Sequence, residues 1–593
     1  MANYFSSSDS DEEPFYGFLD EELNFELVER RRGVDVEEES DIDIDGSSAD
    51  SLGLSDTEDS ERGEPDEEII TEEGNWTKNL KDFDNFVDFT SPVGPTKSLG
   101  EDASEIDFFE LLFPKELYAH ISTETNKYAL HKRHPPLVPD NDWYPTTVEE
   151  IKLYLGIRVF MSILNFPSFA QYWSKDSVFG NSFISNLMSR NRFQKINEYF
   201  HVADRTTMPP KSSPHFDKLF LVRPILDAVR KNCLKAYNPH QCFAIDEAMI
   251  KFRGRSSLKQ YLPAKPTKYG IKVWMRADSL NGFCNEFFVY TGKPTGKEPE
   301  KNLGQKVVKQ LTENIENKGH HGYTDNYFTT VAGVEERFEK GVYLCGTIKS
   351  NAKGLPQEIK GKKICKEAGS YIQFQKGGSA LSAVAWREKK SRKPVRILSA
   401  NVNPSAEISS VARKQRDGTR VPVMCPIQVS NYNKFMNAVD RNDQIRTQYM
   451  TYRRCNRWWT YIFWFLFDLS VANSFILFKE SPNHKTKNKS GKDEGKTQLK
   501  FRMALTKQLI GQKISRKRKR GSASLGGEVA ATGHWPKFLK DKKGRCRNCH
   551  KKGIRREPRY ICGACTALAK NNERIHLCPE CFEEYHTMTM PNI

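Results

Sequence analysis

Beyond residue 100 the apolar positions first fall at helical spacing. Phe108, Phe109, Leu111, Leu112 and Phe113 precede Lys115-Glu116-Leu117, and 148–164 repeats the spacing behind Thr146-Thr147, residues suited to cap a helix. Stretches 191–200 and 216–233 continue it, so a helical unit is predicted to about His240. Then the period changes. An apolar run at 242–245 reads as a strand, and 269–275 and 283–290 flank Leu280-Asn281-Gly282, a turn that predicts a β-hairpin. Helices are predicted at 303–315 and 331–339, strands at 322–324 and 342–348. Three strands, a helix, a strand, a helix and a strand make a mixed α/β sheet.

Residues 349–430 interrupt that order with short strands (371–374, 381–386, 395–400) and basic turns, and read as an insertion; 445–479 returns to one long helix. Within it, 458–478 is apolar enough to imitate a membrane span, but Asp468 sits at its centre with Ser470 and Asn473 nearby. A central charge costs roughly 2.5–3.5 kcal/mol on insertion scales, so a buried helix and no membrane association are expected.

Composition splits the chain. Residues 1–75 hold 27 Asp and Glu against 4 Arg, leaving +38 on the remaining 518 residues. The acidic part has too few aliphatics to offset chain entropy, so 1–103 is predicted as a disordered acidic region, with Ser8, Ser10, Ser55 and Ser60 set among acids for an acid-directed kinase. A body this basic attracts a polyanion, nucleic acid first. No basic segment followed by an apolar one opens the chain, so reduced cysteines are expected; of thirteen, six crowd into the last 48 residues, which favours metal over disulfides. Lys513, Arg516, Lys517, Arg518, Lys519 and Arg520 form a nuclear-import-like cluster, equally readable as a DNA-phosphate tether.

Three acidic islands carry candidate chemistry: Ala244-Ile245-Asp246-Glu247, Asp325-Asn326-Tyr327-Phe328-Thr329-Thr330 and Val439-Asp440-Arg441-Asn442-Asp443-Gln444. Carboxylates from separate segments are what a two-metal phosphoryl-transfer site requires. Singly, each has a plain reading: Asp246 ends a strand, Asp325 makes an Asx-turn, Asp440 and Asp443 share a helix face. Basic residues near the first acid, Lys251, Arg253, Arg255, Lys265, Lys268 and Lys272, are candidates to hold DNA phosphates, as is Lys349; Trp458 is a candidate base-stacking residue, with core packing as the alternative.

Taken in order, Ile245-Asp246-Glu247, Phe252-Arg253-Gly254-Arg255, Tyr261-Leu262-Pro263-Ala264-Lys265-Pro266, Lys268-Tyr269-Gly270-Ile271-Lys272, Asp325 to Thr330, Gly346-Thr347-Ile348-Lys349-Ser350-Asn351 and the third island with Asn456-Arg457-Trp458 resemble the piggyBac transposase family, from about residue 104 onward. The resemblance implies a multidomain α/β protein: a helical dimerisation and DNA-binding domain (104–241 and 448–510), an RNase H-like catalytic core (242–348 and 431–447), an inserted β-rich domain (349–430), a basic linker (511–540) and a cysteine-rich zinc domain (541–593). It implies Mg²⁺ or Mn²⁺ on Asp246, Asp325 and Asp440, with Asp443 as a further catalytic acid. It implies cut-and-paste transposition at TTAA sites through hairpin ends, a homodimer acting on terminal repeats, and work in the nucleus. One departure is Ala352 before Lys353, where the family's founding member carries a basic residue after Ser-Asn.

The last segment reads as metal-binding on its own. Cys546-x2-Cys549, Cys562-x2-Cys565 and His576-x-Cys578-x2-Cys581-x4-His586 offer eight donors, enough for two Zn²⁺, with His550 competing with His576 for the eighth place. Two other functions stay open: a domesticated, transposase-derived DNA-binding or chromatin protein that mobilises nothing, and a RING-like ubiquitin-ligase module.

Overall fold

The computed structural model describes residues 76–511 and 536–589, apart from 134–139, 141, 177, 180–181, 264, 266, 293–301, 362–363, 390–392, 415–418, 488–492 and 569–573. The four acidic-region serines and the basic cluster lie outside the described residues. The chain divides near residue 516 into a large unit and a small one.

The large unit is built on a ten-stranded sheet: β1 (Trp76–Thr77), β2 (Cys242–Lys251), β3 (Lys259–Tyr261), β4 (Tyr269–Asp278), β5 (Cys284–Val289), β6 (His320–Thr324), β7 (Val342–Thr347), β8 (Tyr371–Lys376), β9 (Ser382–Trp386) and β10 (Val395–Ser399). The order is β1-β8-β9-β10-β7-β6-β2-β4-β3, with β5 also on β4. The pairs β2–β6 and β6–β7 are parallel and the rest antiparallel. Helices α1 (Leu303–Thr312) and α2 (Val331–Phe338) supply the crossovers that parallel strands require. The predicted hairpin is there, closed by Gly282 at φ +81°, which a residue with a Cβ rarely adopts. All but the first residue of β4 are buried, as expected of a strand covered on both faces.

Several expectations need correction. Residues 76–103 are not part of a disordered region: Trp76 donates its indole N–H to Gly354 O (2.9 Å), Phe83 and Phe86 pack edge-on against Phe338 and Tyr343, and β1 extends the sheet. Aromatics spaced along an otherwise polar stretch suffice to anchor it. The 349–430 segment is not a separate β-rich unit: β8, β9 and β10 continue the main sheet from β7, and among the described residues its other strands are one hairpin, Ile408–Lys414 with Arg420–Pro426. Residues 216–222 lack the predicted α-helix, which starts at Arg223 and runs to Ala236. The single helix predicted over 445–479 breaks at 449–457 into Ala438–Gln448 and Trp458–Lys479.

The apolar helix Trp458–Lys479 is buried from Trp459 to Phe478, and Phe463, Phe467 and Phe478 meet Phe113, Phe109 and Phe108 of the early helices. Asp468 is satisfied inside protein: its carboxylate accepts the Thr451 hydroxyl (2.9 Å) and backbone N–H (3.1 Å). One apolar core joins these helices to the sheet, reaching from Phe109 and Phe467 to Ala244, Tyr323 and Cys345.

The small unit pairs Pro536–Phe538 with Tyr560–Cys562 and carries short helices at Arg547–Lys551, Gly563–Leu568 and Pro579–Thr589. Its buried cluster is mostly cysteine, with Ile575 and Leu577 as its fully buried aliphatics.

Candidate active site

Parallel pairing of β2 with β6 sets Ile245 opposite Thr324, so the next residue on each, Asp246 and Asp325, emerges at the same height. Asp246 lies in mid-strand rather than at a strand end, and Asp325 follows the C-terminal end of β6. A tight turn fixes Asp325: its carboxylate accepts Tyr327 N–H (2.9 Å) and its carbonyl accepts the Thr329 hydroxyl (2.7 Å). Gly346 on β7 admits that turn, since a Cβ there would lie 2.2 Å from Thr329 Oγ1 and 2.6 Å from Thr324 O. The Asx-turn and the site are therefore one feature.

Oxygens of Asp246, Glu247 and Asp325 lie within 4.8 Å of one another. Glu247 was not singled out by the sequence reading, although it stands in the first island. Strand alternation assigns neighbours to opposite faces; here the Asp246 carboxylate folds back to accept Glu247 N–H (2.7 Å). Two adjacent acids in an apolar strand were the available signal. Asp440, in the first turn of Ala438–Gln448, is close enough to press electrostatically on Asp246 but stands outside the trio. Asp443 is ion-paired with buried Arg446 (2.7 Å).

Burial, with Glu247, Asp325 and Asp440 adding to it, drives the Asp246 carboxyl well above the usual carboxylate range against the pull of Lys265. Asp325 is raised by burial and by Glu247; Asp440 by the protein around it and by Asp443 and Glu247, with Lys265 opposing. Like charges held together favour protonation until a cation joins them. Lys265 brings a cation into contact with them: its Nζ lies 3.4 Å from Glu247 Oε1 and 3.8 Å from Asp246 Oδ2. Burial alone lowers the basicity of Lys265, and Asp246, Glu247 and Asp440 more than restore it. An all-carboxylate donor set of this spacing fits a hard divalent cation.

The basic residues sort into two groups. Lys251, Arg253, Arg255, Lys268 and Lys349 are exposed. Lys265 is ion-paired among the acids, and Lys272, 8% exposed, has its ammonium 4.2 Å from the Trp274 ring centre. Burial lowers the pKa of Lys272. These two depart from the expectation of free phosphate contacts. Trp458 is partly buried against the helical core.

In the small unit the donors interleave. Cys546 and Cys549 group with Cys578 and Cys581, while Cys562 and Cys565 group with His586. In the first group the Cys578 sulfur lies 3.7 Å from that of Cys546 and 3.6 Å from that of Cys549, and the Cys581 sulfur 3.4 Å from that of Cys549. A tetrahedral ion with metal–sulfur bonds of about 2.3 Å requires edges of about 3.8 Å. In the second, His586 Nε2 lies 3.2 and 3.3 Å from the two sulfurs, and Nδ1 faces Phe582 O, which fixes Nε2 as the ligating nitrogen. Burial raises the Cys546 thiol, but hydrogen bonds from the backbone N–H groups and thiols of Cys549 and Cys578 outweigh it and bring the group down to about 7. His576, expected as the eighth donor, stands outside both groups, its ring beside Gly544 and its backbone bridged to Ile561; His550 is exposed and also outside.

Residues 104–475 match the family model described as Transposase IS4. The chain is 27% identical over 412 residues to human piggyBac transposable element-derived protein 5, covering 67% of this chain and 75% of that protein. It is 27% identical over 379 residues to human piggyBac transposable element-derived protein 3, covering 63% and 61%. Among solved structures, the piggyBac transposase synaptic complex with hairpin DNA superposes with a TM-score of 0.60 at 24% identity, covering 83% of this chain and all of that one. The last likeness is one of fold.

Proposed function

Because this chain belongs to the piggyBac-type Transposase IS4 family, we propose that it is a metal-dependent DNA transposase of the cut-and-paste kind. The observation that carries the reading is the meeting of Asp246 and Glu247, from one strand, with Asp325, from the turn that follows its parallel neighbour, with Asp440 beside them. Asp246, Asp325 and Asp440 are the residues to hold Mg²⁺ or Mn²⁺, on an RNase H-like core, and Glu247 adds a fourth carboxylate. Bound there, two divalent cations supply stabilisation of the attacking and leaving oxygens of an in-line phosphoryl transfer.

The chain's own residues do the positioning. Exposed Lys251, Arg253, Arg255, Lys268 and Lys349 attract and orient the DNA backbone. Lys265 neutralises part of the carboxylate charge and so eases the close approach of the acids. Arg446 fixes Asp443 on the face that carries Asp440. In the proposed sequence, hydrolysis of one phosphodiester frees a 3′-hydroxyl. That hydroxyl displaces a strand oxygen on the opposite strand to close a hairpin, and after reopening attacks a TTAA target, each transfer making one phosphodiester for the one broken. The interleaved cysteine module holds two Zn²⁺ and binds terminal-repeat DNA; the protein acts as a nuclear homodimer.

The second reading, a domesticated DNA-binding protein, draws on the human relatives, which are named as transposable element-derived. Excision of a donor flanked by candidate terminal repeats decides between them. Clean TTAA restoration by wild type, lost in Asp246→Ala, Asp325→Ala and Asp440→Ala at matched expression, supports the transposase. Repeat binding without strand cleavage supports the domesticated protein.

A further inference from the structure

We infer that Tyr327 is a stacking platform for a nucleobase beside the carboxylates, an inference that rests on the DNA-processing reading above. Tyr327 follows Asp325 by two residues, a reach of at most about 7 Å, and is 42% exposed although it sits within the catalytic motif. Its ring stacks on Trp274, centroids 5.5 Å apart and planes at 16°. Trp274 is itself 3% exposed and is braced edge-on by Phe328 (5.4 Å) and Tyr290 (5.9 Å). Trp274 covers one face of Tyr327, so the exposed surface lies away from it.

The platform is held from below and behind. Tyr327 N–H donates to Asp325, and helix α1 approaches so closely that a Cβ on Gly304 would lie 2.2 Å from Tyr327 O. Lys272 Nζ lies 4.2 Å from the Trp274 centre and 5.2 Å from that of Tyr327. Tyr327 is thus half open to solvent yet fixed in place by a buried indole, an ammonium and a backbone contact, which leaves one ring face presented beside the acids. Carboxylates alongside disfavour a bare phosphate at this spot, whereas the π-face of a base needs no countercharge. Trp458, the stacking candidate from sequence, packs partly into the helical core.

The test uses the full-length protein with Ca²⁺ in place of Mg²⁺ and a DNA hairpin whose TTAA loop carries 2-aminopurine for its first adenine. Wild type is expected to bind the hairpin and change the probe's emission. Tyr327→Ala weakens binding about 5- to 100-fold and abolishes that change, while Tyr327→Phe and Tyr327→Trp keep both. Wild-type affinity and emission in Tyr327→Ala, at an unchanged melting temperature, overturn the assignment, as does a Phe variant as impaired as Ala. A wild type that ignores the hairpin overturns the DNA reading and this contact together; the variant pattern separates that from loss of the contact alone.

Discussion

The carboxylate site and the cysteine module solve opposite problems. At the first, three acids are forced together by a large apolar scaffold: β2, β6 and β7 pair in register, and the core behind them would persist whether or not a cation arrived. At the second, the donors are the core, since the buried cluster around Cys546, Cys549, Cys578 and Cys581 adds little beyond Ile575 and Leu577. The lesson is where the stabilising energy comes from. A hydrophobic scaffold can tolerate electrostatic strain at its surface, while a segment of this size with a sulfur core depends on the bond to its ion.

The sharpest way to break this contrast is chelation. Removing metal from the full-length protein is expected to cost the small unit the roughly 10–16 kcal/mol that structural zinc contributes. Hydrogen exchange would then show amides across 546–586 losing protection while those of 242–347 keep theirs. Equal protection in both stretches would end the comparison.

Removing an acid should do the reverse at the large unit. Asp246→Asn is expected to lower strand cleavage by at least about 10²–10³-fold, yet leave the melting temperature unchanged or higher, because one of several crowded like charges is gone. Calorimetry beside a cleavage assay reads both, and a lower melting temperature would show the acids to be structural.

Within the large unit the scaffold has its own charged weak point. Asp468→Ala strands buried Arg502 without the carboxylate that faces it and leaves Thr451 N–H without an acceptor, at an expected cost of about 3–5 kcal/mol. Denaturant unfolding of the variant measures it; a loss below 1 kcal/mol, on the order of a surface change, would mean that water has replaced the contact.

Acid should loosen the same scaffold more gently. Burial depresses the His320 and His321 imidazoles to about 4. From the ordinary His value of about 6.5 down to about 4, the unfolded chain takes up protons that the folded one refuses, so stability falls as pH falls, by up to about 1.4 kcal/mol per pH unit for each His. A shallower slope over pH 4–6.5 in His320→Asn/His321→Asn than in wild type would assign the effect, with His201, which burial depresses to about 3, contributing to the slope that remains; an unchanged slope would refute it.

Much of this was legible along the chain. The strand–helix order from Cys242 to Thr347 followed from period and one turn signal, apart from the short strand Lys259–Tyr261, which was missed, and the family was readable from ordered motifs around Asp246, Asp325 and Asp440. The break at 449–457 was not legible, because apolar spacing continues through it; nor was the anchoring of 76–103, which depends on Phe338 and Tyr343 far away in sequence.

What the sequence determined by itself is whatever local spacing encodes: element type, paired cysteines, and acids set beside apolar runs. Tertiary structure alone decided which of those groups meet. It admitted Glu247 to the trio, placed Lys265 between the acids, turned Lys272 under Trp274 and left His576 out of both cysteine groups. Distances between side chains on different elements are set by register and packing across the whole core, and no window of the chain contains that information.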